Sequence, residues 1–151
     1  MRTIKFRGIG KRTKTWIYGN LIQLGGAYII SPIFNKYEIV PDHSTECALG
    51  FHEDEFDVIE PDSLGQFTGL LDKNGNEIYE GDIINMHTKR YGDEIFRIAY
   101  EDSHLGVFAL CTDDVYSRFV CVFGKSYEYE PFYCEVIGNI HDNPELLKNN
   151  D

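Results

Sequence analysis

Apolar and polar residues alternate along most of this chain with a period of two, the spacing of strands that bury one face. Thr3–Arg7 places Ile4 and Phe6 on one side, and Thr15–Tyr18 places Trp16 and Tyr18 likewise. Between them, Gly8-Ile9-Gly10-Lys11-Arg12-Thr13-Lys14 reads as a basic, glycine-bearing hairpin loop. Leu21–Leu24 and Ala27–Ile30 flank Gly25-Gly26, a second hairpin. Ser31-Pro32 and Val40-Pro41 interrupt the pattern because proline cannot donate within a central ladder. Phe56–Ile59 is a further short strand ahead of Pro61-Asp62.

The second half is more regular. Leu70-Leu71 and Glu77–Tyr79 flank Asp72-Lys73-Asn74-Gly75, where Asn and Gly tolerate the positive φ of a tight turn. Glu80-Gly81-Asp82 turns the chain into Ile83–His87. Glu94–Tyr100 follows with Phe96, Ile98 and Tyr100 on one face, and Val107–Cys111, Arg118–Phe123 and Glu135–Ile140 complete the strands. Only the tail is helical, with Asn143 as a cap, Pro144 in the first helical position and Glu145-Leu146-Leu147 after it. The expected fold is mainly β, with a hairpin-built N-terminal lobe over residues 1–62. A small SH3-like barrel over 63–147, ending in a short helical turn, and a tail at 148–151 complete it.

Composition sharpens this picture in three places. Ten Tyr and ten Phe enrich the chain in residues that suit pleated, half-buried surfaces. Cys47, Cys111, Cys121 and Cys134 are widely spaced with no Cys-x-x-Cys pair, which argues for reduced thiols rather than a zinc site. The net charge of −11 is unevenly placed: residues 1–37 hold Arg2, Lys5, Arg7, Lys11, Arg12, Lys14 and Lys36 and no acid. Residues 38–62 hold nine acids and no Lys or Arg. No apolar run is long enough to span a bilayer, and no apolar segment follows the charged Met1–Arg7 start as in a secretion signal. A cytoplasmic location is expected.

The stretch Gln66-Phe67-Thr68-Gly69-Leu70, then Asp72-Lys73-Asn74-Gly75, then Glu80-Gly81-Asp82-Ile83-Ile84 resembles the signature of the YopX-like proteins. Ile4-Lys5-Phe6-Arg7 and Val136-Ile137-Gly138-Asn139-Ile140 with Asn143-Pro144-Glu145-Leu146-Leu147 extend the resemblance over essentially the whole chain. These proteins are encoded mainly by bacteriophages and prophages of bacteria such as the Firmicutes. The resemblance implies a phage accessory role and supplies no catalytic residue to carry over. Gly8-Ile9-Gly10 departs from the Ala-Trp-Asp type of turn in relatives.

Several motifs fail their own chemistry. Asp72, Asn74 and Asn76 have the 1, 3, 5 spacing of a calcium loop, but Glu77 replaces the needed Gly and Ile83 the bidentate Glu. Gly8-Ile9-Gly10-Lys11-Arg12-Thr13 lacks the further glycine of a P-loop and that of a dinucleotide fingerprint, although Lys11 and Arg12 can still touch phosphate. His52-Glu53-Asp54-Glu55-Phe56 carries Phe where a zinc-protease helix needs its second His, and reads as a solvated acidic edge. Asp102-Ser103-His104 and Cys111 have no nucleophile elbow around them. No catalytic residue, metal ligand or cofactor is assigned.

The expected function is therefore binding, with self-association or a host or phage protein as the partner and no membrane. Two surfaces are candidates: the basic hairpin with Lys11, Arg12, Lys14, Trp16 and Tyr18, and a loop with Tyr127, Tyr129 and Phe132. Nucleic acid binding at the hairpin would combine phosphate contacts with stacking, against the repulsion of the negative total. A DNA mimic acting through the acidic segment and a small hydrolase are the remaining alternatives.

Overall fold

The computed structural model describes residues 3–31, 57–88, 92–101, 107–111, 119–122 and 134–148. It is mainly β, and among the described residues the helical pieces are the 3-10 turns Pro61–Ser63 and Pro144–Leu147. The chain divides into one unit of Lys5–Leu64 and another of Gly65–Asp151 with Met1–Ile4.

The first unit is an antiparallel meander of β1 (Phe6–Ile9), β2 (Trp16–Leu24) and β3 (Ala27–Ser31). Phe6 pairs with Gly19 and Ile9 with Trp16, while Leu24 and Ala27 close the second hairpin. Gly25 and Gly26 both have positive φ (54° and 87°), as a two-residue hairpin loop that follows the strand twist requires. Residues 58–60 then bond to both outer strands. Ile59 N–H donates to Tyr28 O (2.8 Å), Glu60 N–H to Ile9 O (2.8 Å), and Val58 O accepts from Lys11 N–H (2.7 Å). The three strands thus become a closed ring.

The closure corrects the expectation that Gly8-Ile9-Gly10 is loop. Gly8 and Ile9 belong to β1 because Ile59 packs on Gly8 so closely that a Cβ there would collide with it. Ile59 and Ile30 are both fully buried. β2 also runs unbroken through Gly19 and Asn20, where two separate strands were expected. Val58 and Ile59 form single bridges rather than a strand, and Phe56 lies outside the described residues.

The second unit begins with the hairpin β4 (Gly65–Leu71) and β5 (Glu77–Tyr79). Its register shifts between Phe67 and Leu71, at a bulge where Gly69 takes φ 87°. A five-stranded antiparallel sheet follows in the order β10 (Cys134–Asn139), β6 (Asp82–Thr88), β7 (Gly92–Glu101), β8 (Val107–Cys111) and β9 (Phe119–Val122). Ile78, Ile84, Met86, Phe96, Ile98 and Cys134 form the buried core, with Leu70 and Val136 packed against it. Each large apolar side chain removed from water contributes roughly 1.5–3 kcal/mol, so this cluster dominates the unit's stability.

Two details differ from the sequence pattern, the exposure of Tyr100 and the missing capping bond of Asn143. Tyr100 lies on the strand face of Phe96 and Ile98, but at the end of β7 it is 43% exposed. The tail is a four-residue 3-10 turn, and the Asn143 side chain makes no capping bond to it. Leu147 anchors it as a buried residue.

Candidate functional site

The β1–β2 loop carries the basic residues singled out above. Gly10 N–H donates to Thr15 O (3.0 Å) and Lys14 N–H to Gly10 O (2.9 Å), so the loop folds back on itself. Lys14 takes a left-handed conformation (φ 55°) to complete the reversal. Into this loop projects the Asp57 side chain, 6% exposed. Its Oδ2 accepts from Thr13 N–H (2.8 Å), Thr13 Oγ1 (2.9 Å) and Arg12 N–H (3.0 Å), the last also reaching Oδ1 at 3.1 Å. Gly10 is required here, because a Cβ would strike the Asp57 carboxylate. Burial pushes the Asp57 carboxyl up, but the Thr13 and Arg12 donors outweigh that and hold it below the ordinary range.

The cations are partly matched by acids of the same unit. Lys14 Nζ lies 3.0 Å from Glu60 Oε1, with the two side chains 69% and 39% exposed, so this pair adds little stability. Lys11 and Arg12 are exposed in the loop. Trp16 is half-buried, and the guanidinium of the buried Arg7 stacks 4.7 Å from its ring centre. Tyr18 pairs directly with Arg7 across the strands, which puts both on the Trp16 side of the ring, and it is 44% exposed. The structure therefore brings Lys11, Arg12, Lys14, Trp16 and Tyr18 onto one loop and the strand that follows it. Tyr127, Tyr129 and Phe132, and the acidic residues 38–56, lie outside the described residues.

The second unit shows the same use of acids. Asp72 Oδ1 accepts from Asn74 and Asn76 N–H (both 2.8 Å), and its Oδ2 from Asn76 Nδ2 (3.0 Å) and Val136 N–H (3.1 Å). A carboxylate engaged this way holds the turn against β10, as the β-turn reading of the failed calcium motif requires. Asp82 Oδ2 accepts Tyr79 N–H at 2.7 Å. Burial, with the Asp72 carboxylate nearby, pushes the Cys134 thiol up to about 12, which leaves it protonated and unreactive at neutral pH. His87 and Asp93 form an exposed pair at 2.8 Å. Among the described residues no three His, Cys, Asp or Glu side chains converge as a metal site would need. No helix among them is long and apolar enough to cross a membrane.

Sequence reasoning missed Arg7, Asp57 and Glu60. Asp57 is separated from Thr13 by 44 residues, so no local spacing marks it within its acidic run. The alternation over Thr3–Arg7 singled out Phe6 and Ile4, the latter exposed in the structure, but gave no sign that Arg7 would be covered.

Among known structures, the chain is similar to the crystal structure of protein EF1440 from Enterococcus faecalis. The two share 25% identity with a TM-score of 0.50, over 97% of this chain and 99% of that one. A search of curated proteins found no match. The family model described as YopX protein matches residues 5–148, spanning the closed ring, the Asp72 turn and the sheet, and the chain belongs to that family.

Proposed function

We propose that this chain is a phage or prophage accessory protein that acts without catalysis, by binding another protein in the host cytoplasm or by assembling with itself. One observation carries the reading: the buried carboxylates Asp57, Asp72 and Asp82 all accept backbone N–H groups of their own chain. Groups engaged in this way brace the fold, and a general acid or base instead needs its lone pairs turned toward a reacting atom. The second unit is read as an SH3-type barrel on the strength of the consecutive pairing of β6 through β9, with β10 returning to β6.

A protein partner is favoured over nucleic acid because Asp57 and Glu60 offset the charge of the basic loop. Tyr18 and Trp16 beside that loop are the residue types that dominate protein interfaces. Duplex DNA is therefore expected to bind with micromolar or weaker affinity at physiological salt. Reversing Lys11, Arg12 and Lys14 to Glu should lower stability or assembly, read by melting temperature and light scattering. Sub-micromolar DNA binding by the parent, abolished by that triple reversal with the fold intact, would establish the nucleic-acid alternative instead.

A further inference from the structure

The backbone donors of the β1–β2 loop divide into two sets. Gly10, Lys11 and Lys14 N–H groups bond to carbonyls of the unit, at 3.0, 2.7 and 2.9 Å. The consecutive Arg12 and Thr13 N–H groups instead both donate to the Asp57 carboxylate, joined there by Thr13 Oγ1. Successive N–H groups in a turn that ends in a left-handed residue form an anion-binding nest. Its occupant in this structure is a carboxylate contributed from 44 residues away in the sequence.

Lys11 and Arg12 lie exposed beside the nest, Lys14 beside it pairs with Glu60, and glycine at position 10 leaves room for the Asp57 oxygen that fills it. A phosphate group brings three strong acceptor oxygens and a charge of about −1.5 to −2, against one unit for Asp57. We propose that the Gly10–Lys14 loop is a phosphate-binding site that Asp57 keeps closed as an internal guest. The ligand class is a phosphate group, carried by a small molecule or by a single-stranded nucleic-acid backbone. Displacing Asp57 would open the site. This inference goes beyond the proposed protein-binding role and stands or falls separately from it.

The test is Asp57→Ala in the full chain, titrated with inorganic phosphate against potassium chloride of equal ionic strength. Melting temperature and the amide signals of Arg12 and Thr13 are followed together. The variant is expected to melt below the parent in chloride and to recover saturably in phosphate, with both amides shifting. The parent should need at least about tenfold more phosphate for any response, because its own carboxylate competes. Adding Lys11→Glu and Arg12→Glu to the variant should abolish the recovery. A short single-stranded oligonucleotide that binds the variant more tightly than phosphate would identify the backbone as the source; equal or weaker binding would identify a small phosphate ligand. An anion that binds only the folded nest must pull an unfolded variant back toward the fold. Asp57→Ala that ignores phosphate, whether folded or unfolded, would therefore overturn the proposal, as would a parent that responds at the same concentration.

Discussion

Replacing Asp72 by Ala is the sharpest test of how carboxylates organise this protein. The side chain is 5% exposed and accepts four hydrogen bonds, from Asn74 N–H, Asn76 N–H, Asn76 Nδ2 and Val136 N–H. Bonds to an ionised acceptor are worth about 1.5–3 kcal/mol each, and a buried donor left without a partner costs about 1–3 kcal/mol. Water can replace the acceptor for the exposed turn residues more easily than for Val136 on half-buried β10, so the expected loss is about 3–5 kcal/mol. That is a large part of the ~5–15 kcal/mol available to a domain. The chain's single tryptophan, Trp16, lies in the other unit. Urea unfolding should therefore be followed by far-UV circular dichroism, with hydrogen exchange at Val136 as the local probe.

The same residue makes a signed pH prediction. Burial raises the Asp72 carboxyl, but donors from Asn76, Val136 and Asn74 outweigh it and hold it below its ordinary value. A carboxyl lowered by folding adds stability that is fully present above the unfolded value. That stability is lost as pH falls through the folded one. The difference between parent and Asp72→Ala should thus be constant near neutrality and shrink below pH ~4. A loss under ~1 kcal/mol at neutral pH, or a difference unchanged into acid, would show that these bonds do not hold the turn.

Other substitutions separate backbone strain from crowding. Gly75 has φ 85° with no atom near the position of a Cβ, so Gly75→Val should cost about 1–2 kcal/mol from conformation alone; unchanged urea stability would refute the strain. Gly8→Ala should destabilise the first unit by about 1–3 kcal/mol through collision with Ile59, read by Trp16 fluorescence; an unshifted midpoint would mean that the ring does not close as described. Cys134, with its thiol at about 12, should resist iodoacetamide in the native protein at pH 8 and react in urea; fast native labelling would contradict its burial.

The turns were legible in the sequence because their chemistry is local. Gly25-Gly26, Asn74-Gly75 and Glu80-Gly81 each put positive φ at a glycine between apolar runs, and each is a turn. The core of β7 was legible through the alternation of Phe96 and Ile98, whereas β6 buries the consecutive Ile83 and Ile84, and Tyr100 at the end of β7 is exposed. The first unit was harder. Gly8 looks like loop until Ile59 packs on it, and Asp57 looks like solvated charge until the loop donors meet it. Both depend on contacts across 40 or more residues, which no window of local pattern contains. The stack of Arg7 on Trp16 is a partnership across the β1–β2 register, visible only when Ile9 and Trp16 are known to pair.

The bonds of residues 58–60 to β1 and β3 have an evolutionary consequence. They fix Ile29 and Val58 as direct neighbours, so the two ends of the intervening sequence are anchored side by side by groups outside it. The entropy of closing such a segment grows only with the logarithm of its length, and doubling it adds only about 0.6 kcal/mol. Relatives can therefore lengthen, shorten or rewrite the stretch between Ser31 and Asp57 at little expense to the ring.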